Sequence, residues 1–436
     1  MRKYFAIFVL FLTALSIFST EGFAAPEEYV LWLKDLRSEM IERGIKAEFF
    51  DKVYAEDYYE NRPEVIQKDQ KMVEFVPVSD EYLNRIVTKD RVIEARKKYK
   101  YAQEKYKNFA KSSVVPLNYL VAFWAVETNF GQNKGRFNWI KCLTQLSYYG
   151  RRKKFFRNEL FYALKILQDN DFDHTKILSS WDGGVGNFQF MPSTYAHFAV
   201  DYNNNGKIDL WEEEEDSFAS AVNYLKKEGW QKGKIWGAKV ELPWNFDYGK
   251  TGKRHKQPAK KWQEAGISVK IPNNMADEEA YILVPEGRRG NAYMVFKNFD
   301  VITRWNHSLN YALSVGILAD YIASENVWKK VESGALQPTR DEIRKLQNLY
   351  NRTFNKKIAE DGRVGPQTRE AIKELQKKYK LPTDGYPDWR LMKRVNSERE
   401  YKNFVPVPPK QSANNRHFSA LREKKNNIVS QKIKDE

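Results

Sequence analysis

Cysteine is nearly absent from this chain. Cys142 stands alone among 436 residues, so no internal disulfide can form and the fold must hold by its core. Long hydrophobic runs are also missing. After the first 25 residues no stretch approaches the roughly 20 apolar residues that cross a bilayer, so no later membrane span is expected. No cysteine stands directly after the N-terminal apolar run, where a leader would be cleaved, which excludes lipid attachment there. No long internal repeat is visible.

Positive charge, by contrast, is abundant. The formal net charge is +16. Arg2 and Lys3 precede an apolar run from Tyr4 to Phe18, and the small residues Gly22, Ala24 and Ala25 follow. This pattern reads as a signal peptide over residues 1–25, giving a periplasmic or secreted protein with no transmembrane segment after cleavage. An exported basic protein rarely meets nucleic acid, so an anionic cell envelope is the expected counterpart, with solubility alone as the alternative. Residues 396–436 carry nine Lys/Arg against five Asp/Glu, with few large apolar residues, and are expected to be a basic, disordered tail.

Periodicity reads as mainly helical to residue 235, with short strands such as Ala280–Pro285 and Ala292–Phe296 in an insertion over about 236–300. A single helix is expected from Val301 to Ala323. A polar break at Glu332–Pro338 precedes a separate unit at 339–395, opened by the capping box Thr339-Arg340-Asp341-Glu342. The fold class expected is mainly α (α+β), with a small helical C-terminal domain.

Three constellations carry chemistry; one is the C-terminal unit just described, for which a purely structural three-helix bundle is the alternative. The first begins at Pro116–Gly131, PLNYLVAFWAVETNFG, which reads as a helix apolar on nearly all sides and therefore buried. Its only charged residue, Glu127, lies near the negative C-terminal pole. Burial and that pole both raise a carboxyl pKa, which suits a general acid. A Glu turned to solvent, or paired with a structural Arg, remains the alternative. Downstream, SSWDGGVGNFQFMPSTY (179–195) offers backbone freedom at Gly183, Gly184 and Gly186 and a donor–acceptor side chain at Gln189; a plain turn before a helix starting at Pro192 would look the same. The second place is Asp201–Asp216, DYNNNGKIDLWEEEED, where Asp201, Asn203 and Asn205 alternate ahead of Gly206 as in calcium loops. Lys207 would contribute a backbone oxygen. Glu212 or Asp216 would be the last ligand. A structural Ca2+ (or Na+) of modest affinity is expected, with a bare turn as the alternative.

Val126-Glu127-Thr128, Gln189-Phe190-Met191-Pro192-Ser193, the loop at 201–216, Asn223-Tyr224-Leu225 and Ile302-Thr303-Arg304-Trp305-Asn306-His307 occur in an order and spacing that resemble the B-type membrane-bound lytic murein transglycosylases. The resemblance covers about residues 30–325. It implies a lysozyme-like catalytic core with an N-terminal helical region, within a catalytic region at 26–330. Residues 339–395, with DGRVGPQT and LPTDGYPD, are similar to the small three-helix peptidoglycan-binding domain. The resemblance places Glu127 at the catalytic acid/base and Ser180, Gln189, Asn223 and Tyr224 along the cleft. Asn306 and Tyr311 fall near saccharide sites, and Asp216 falls on the last cation ligand. Phe188 stands where the family usually has glycine, and Trp305 where it has tyrosine, so the substrate subsites there are expected to differ.

Most glycosidases use two carboxylates. Here only Asp182 is near in sequence, at a position the family does not use. The resemblance implies that the substrate assists. The N-acetyl oxygen of N-acetylmuramic acid attacks its own C1 as Glu127 protonates the leaving oxygen. Glu127 then deprotonates O6, which closes a 1,6-anhydro ring. The expected function is lytic cleavage of the β-1,4 bond between N-acetylmuramic acid and N-acetylglucosamine, with peptidoglycan glycan strands as partner, no catalytic cofactor, and a monomeric enzyme. A hydrolytic muramidase and a non-catalytic wall-binding protein are the alternatives.

Overall fold

The computed structural model describes residues 26–55, 63–71, 79–331 and 338–397. The expected signal peptide, most of the polar break and the basic tail after Ser397 lie outside the described residues.

The described residues 26–55 form one unit. It contains helices α1 (Glu27–Glu42) and α2 (Ala47–Val53). Leu36, Met40, Phe50 and Val53 are buried, and Arg37 donates twice to Asp51 at 2.7 and 2.8 Å.

The second unit begins at residue 62 and holds everything described below. Its first helices are α3 (Pro63–Lys71), α4 (Ser79–Ile86), α5 (Lys89–Lys105) and α6 (Lys107–Ser112). They precede α7 (Leu117–Thr128), the helix expected from the apolar run. Leu117 and every residue from Tyr119 to Ala125 are buried, because α5, α11 and α14 pack around it (α11, Glu214–Lys227; α14, Leu309–Ala323). Burial on all sides follows from the sequence: no polar stripe exists for α7 to turn toward water. Pro116 sits one residue before the helix rather than in its first turn. The chain leaves the other end through Asn129, Phe130 and Gly131 at φ 50°, 60° and 81°.

A hairpin-like pair follows, β1 (Phe137–Asn138) against β2 (Leu178–Ser179), enclosing α8 (Trp139–Tyr149) and α9 (Lys153–Asn170). Then comes α10 (Pro192–Phe198), begun by a proline as its sequence suggests. The insertion is a four-stranded antiparallel sheet in the order β3 (Gly237–Val240), β6 (Ala292–Val295), β5 (Glu279–Leu283), β4 (Gln257–Pro258). Both expected strands are present, each shortened at its C-terminal end. Helix α12 (Ala259–Glu264) covers the sheet through Trp262, beside Ile282 and Met294.

The helix expected from Val301 to Ala323 is two helices, α13 (Lys297–Trp305) and α14. Asn306 is extended, and the Ser308 hydroxyl caps α14 by accepting from Tyr311 N. Capping chemistry thus outweighs continuous periodicity. The break turns Trp305 and Tyr311 toward the same point.

The C-terminal unit is three helices, α15 (Arg340–Phe354), α16 (Pro366–Lys378) and α17 (Trp389–Ser397), packed through Leu346, Ile372, Leu375 and Leu391. The capping box at Thr339 and Glu342 forms as expected. The unit is docked on the insertion: Arg369 Nη2 donates to Pro285 O at 3.0 Å, Lys373 Nζ to Thr251 O at 2.6 Å, and Arg288 N to Asp384 Oδ2 at 3.2 Å.

Candidate active site

Glu127 ends the buried helix α7 facing a cage of aromatic side chains. Its Oε1 accepts from Trp305 Nε1 at 2.8 Å and from Tyr311 Oη. No described residue donates to Oε2. Trp305 is the hub of the cage, with ring centroids 4.7 Å from Phe123, 4.9 Å from Tyr224 and 5.4 Å from Phe190. Burial raises the Glu127 carboxyl from its ordinary 4.5 to about 7. The bonds from Tyr311 and Trp305 favour the charged form and limit that rise, while the nearby Asp182 charge adds to it. Glu127 is half-buried, and among the described residues it forms no ion pair with an Arg, as the alternative reading would require. The Tyr311 phenol is held protonated by burial and by the adjacent carboxyl, so it remains a donor.

The Gly-rich segment closes on α7 through a buried network. Trp124 Nε1 donates to Asn187 Oδ1 at 3.0 Å, Thr128 Oγ1 donates to Asn187 O at 2.8 Å, and Asn187 Nδ2 reaches Ser217 Oγ at 3.2 Å. Asn187 was legible in the sequence only as a neighbour of the turn; a buried amide beside glycines was the available signal. Gln189 sits at φ 52°, a strained conformation of the kind found at functional sites. Its Nε2 donates to Lys134 O and Gly186 O at 3.2 and 3.1 Å, and no described residue donates to its Oε1. Ser180 Oγ donates to Asp182 Oδ1 at 2.6 Å and accepts from Gly184 N at 3.0 Å. A Cβ on Gly184 would come within 2.9 Å of Ser180 Oγ and 3.3 Å of Gln189 Oε1, so glycine is what lets these two side chains share one wall.

The other expected cleft residues divide. Tyr224 packs on Trp305 and donates to Arg304 O at 3.1 Å, tying α11 to the end of α13. Asn223 instead donates to Phe198 O at 2.8 Å, at the end of α10. Asn306 is exposed, and its side chain accepts from Ser308 N within the helix break. Phe188 is 2% exposed and does not face the cleft. It stands behind Trp305, 6.2 Å away, and edge-on to Phe218 at 5.2 Å. The two departures from the family pattern are thus neighbours, and Phe188 backs the indole that bonds Glu127. Burial raises the pKa of the Tyr82 phenol on α4, and the Glu127 charge adds to that rise. An ordinary amphipathic helix gave no sign of it.

In the loop at 201–216, Asp201, Asn203 and Asn205 do converge. Asp201 accepts from Asn205 N and Gly206 N at 3.2 and 2.8 Å. Lys207 N donates to Asn205 Oδ1 at 2.9 Å. Asp216 and Glu212, the two residues expected as last ligand, are not what the asparagines face. Both Asp216 oxygens are taken by backbone donors, Tyr202 N at 2.8 Å and Asp209 N at 3.0 Å, and the residue is fully buried. The acidic group facing the asparagines is Glu213, which accepts from Asn203 Nδ2 and, at 2.8 Å, from Asn205 Nδ2. From the first turn of α11, Asp216 braces the loop through these two backbone bonds. Among the described residues no cluster of three or more His, Cys, Asp or Glu is arranged around a single point, so a cation here would rely on amide and carbonyl oxygens.

Residues 29–320 match the family described as transglycosylase SLT domain, and residues 339–394 match the peptidoglycan binding domain. The chain is 31% identical over 219 residues to membrane-bound lytic murein transglycosylase B of Escherichia coli strain K12. That alignment covers 49% of this chain and 58% of the relative, so the chain spans little more than half of that protein's length. The crystal structure of SltB3 from Pseudomonas aeruginosa in complex with NAG-anhNAM-pentapeptide is similar with a TM-score of 0.79 and 32% identity, over 85% of this chain and all of that one. The Escherichia coli lytic transglycosylase Slt35, solved in complex with calcium, matches with a TM-score of 0.56 and 26% identity, over 66% of this chain and 92% of that one.

Proposed function

Because the chain belongs to the transglycosylase SLT domain family, we propose that it is a lytic transglycosylase that cuts the β-1,4 bond between N-acetylmuramic acid and N-acetylglucosamine and leaves 1,6-anhydro ends. The observation that carries this reading is the state of Glu127. With a pKa of about 7 the carboxyl is substantially protonated near neutral pH, as a general acid requires. Oε1 is tied to Trp305 and Tyr311, and Oε2 is left for the substrate. When Oε2 gives its proton to the leaving oxygen, the two donors stabilise the new carboxylate. The same carboxylate then takes the proton from O6 of the muramyl sugar as O6 bonds to C1. The acid is regenerated and no water is consumed. Ser180 and Gln189 line the adjacent wall, where the unoccupied Gln189 Oε1 can accept from the acetamido N–H.

One observation favours the hydrolytic alternative. The Asp182 carboxylate is close enough to act on Glu127 electrostatically and could orient a water. Its oxygen is, however, engaged by Ser180. Digestion of purified sacculi followed by mass spectrometry separates the two. Anhydro-muropeptides support the transglycosylase, and products heavier by one water overturn it.

The fold around this site suits work in the cell envelope. Among the described residues no helix is long and apolar enough to cross a membrane. Export by the N-terminal segment, retention on the wall by the C-terminal unit, and a structural cation in the 201–216 loop complete the proposal.

A further inference from the structure

Trp244 is 96% exposed, an unusual setting for the largest apolar side chain. It does not hang from a loose loop. Phe246 N donates to Pro243 O at 3.0 Å, making a turn with Trp244 at its tip. Phe246 anchors that turn by packing toward the insertion core, 5.3 Å from the Tyr248 ring and 6.4 Å from Trp262. The indole stands at the rim of a cavity of about 280 Å3 whose far wall is Pro382 and Thr383 of the C-terminal unit. That wall is fixed too. Gln376 clasps the next turn through Asp384 at 2.7 Å and Gly385 N at 2.9 Å. Arg288 completes the cavity. Its backbone N–H holds Asp384, while its exposed guanidinium bonds no described residue.

We propose that this cavity is a second peptidoglycan-binding site, shared by the insertion and the C-terminal unit, in which a saccharide face lies on the Trp244 indole and a carboxylate of the muramyl-peptide branch pairs with Arg288. An exposed, rigidly presented ring suits the C–H face of a sugar, and an unpaired guanidinium suits a carboxylate. The site lies on the two elements that join the catalytic unit to the peptidoglycan-binding-domain match, so a strand held there is held by both. The inference rests on the peptidoglycan reading above.

The test uses the full chain. In a Glu127→Gln background, which prevents digestion, co-sedimentation with purified sacculi should weaken roughly tenfold for Trp244→Ala, about the loss of one good aromatic contact, and little for Trp244→Phe. Arg288→Ala should weaken binding to sacculi, and much less so to sacculi whose carboxylates have been converted to amides. With Glu127 intact, Trp244→Ala should slow turnover of sacculi and leave turnover of a short soluble glycan unchanged. Unchanged sacculus binding by Trp244→Ala, from a parent enzyme that digests sacculi, overturns the second site and leaves the catalytic reading standing. A parent enzyme that neither binds nor digests sacculi overturns both.

Discussion

Gln347 and Gln376 in the C-terminal unit reach turns 15 and 9 residues away, accepting from Gly362 N and Gly385 N at 2.8 and 2.9 Å. Glu127 is bonded by Trp305 and Tyr311, which lie 178 and 184 residues further along the chain. In the first region a helix clasps an Asp-Gly turn twice, with Asp361 and Asp384 in the same role. Each clasp is a short stretch of sequence whose partners cannot be far apart. In the second, nothing local tells Glu127 which donors it will meet. A local device is cheap in chain entropy and tolerates changes elsewhere. A long-range one depends on the packing of α5, α7, α11 and α14 as a whole, and it alone can place a carboxyl in surroundings that raise its pKa.

That contrast is tested most strongly at Glu127. Glu127→Gln should fold and lose roughly 10²–10⁴-fold in turnover of sacculi, the usual worth of acid–base catalysis. The same variant reports on burial. A carboxyl raised from 4.5 to about 7 holds its proton in the folded state over that range while the unfolded chain has released it. Wild-type stability should therefore fall as pH rises from about 4.5 to 7, and Glu127→Gln should flatten that slope in pH-dependent melting. Equal slopes in the two proteins would mean that the carboxyl is not buried.

Next in size is Tyr311→Phe. Removing a donor to the carboxylate should raise the Glu127 pKa further and move the alkaline limb of the kcat profile to higher pH. It should also lower kcat by roughly tenfold to a hundredfold, as a hydrogen bond to a charged group is worth about 1.5–3 kcal/mol. Trp305→Phe should shift the limb in the same direction. A profile that moves to lower pH would show that these donors do not serve the charged form.

The local side of the comparison predicts smaller and confined effects. Gln376→Ala strands the Asp384 turn and should cost about 1–3 kcal/mol in denaturant melts, as buried unpaired groups do, with kcat on short soluble glycans unchanged. A loss of kcat on those substrates would show that the clasp and the cleft are coupled. Smallest is the 201–216 loop. Calcium should raise the melting temperature by a few degrees, on the order of what binding well above Kd contributes. Asp201→Ala should abolish that rise, and Glu213→Gln should reduce it. A wild-type melting temperature indifferent to chelator would remove the cation.

Much of the fold was legible because its signals are local. The all-round apolar α7, the capping box at Thr339, the start of α10 at Pro192 and the strands of the insertion all formed where composition and periodicity put them. Where reading along the chain failed, a competing local interaction or a distant partner decided the outcome. The Ser308 cap broke one expected helix into α13 and α14. Glu213, which the spacing did not single out, faces the asparagines. Trp305 and Phe188 were visible as departures from a family pattern, but not as neighbours.

By itself the sequence determined that Glu127 would lie in a buried helix, that Asp201, Asn203 and Asn205 would share a loop, and that residues 339–395 would hold helices of their own. Each rests on periodicity, capping or spacing within a few turns of chain. Tertiary structure alone decided that Tyr311 and Trp305 hold Glu127 Oε1 and that Phe188 stands behind the indole. It also docked the C-terminal unit on the insertion through Arg369 and Lys373. The physical reason is that desolvation and hydrogen bonding of one carboxyl depend on which surfaces meet in space, and local propensity carries no information about that.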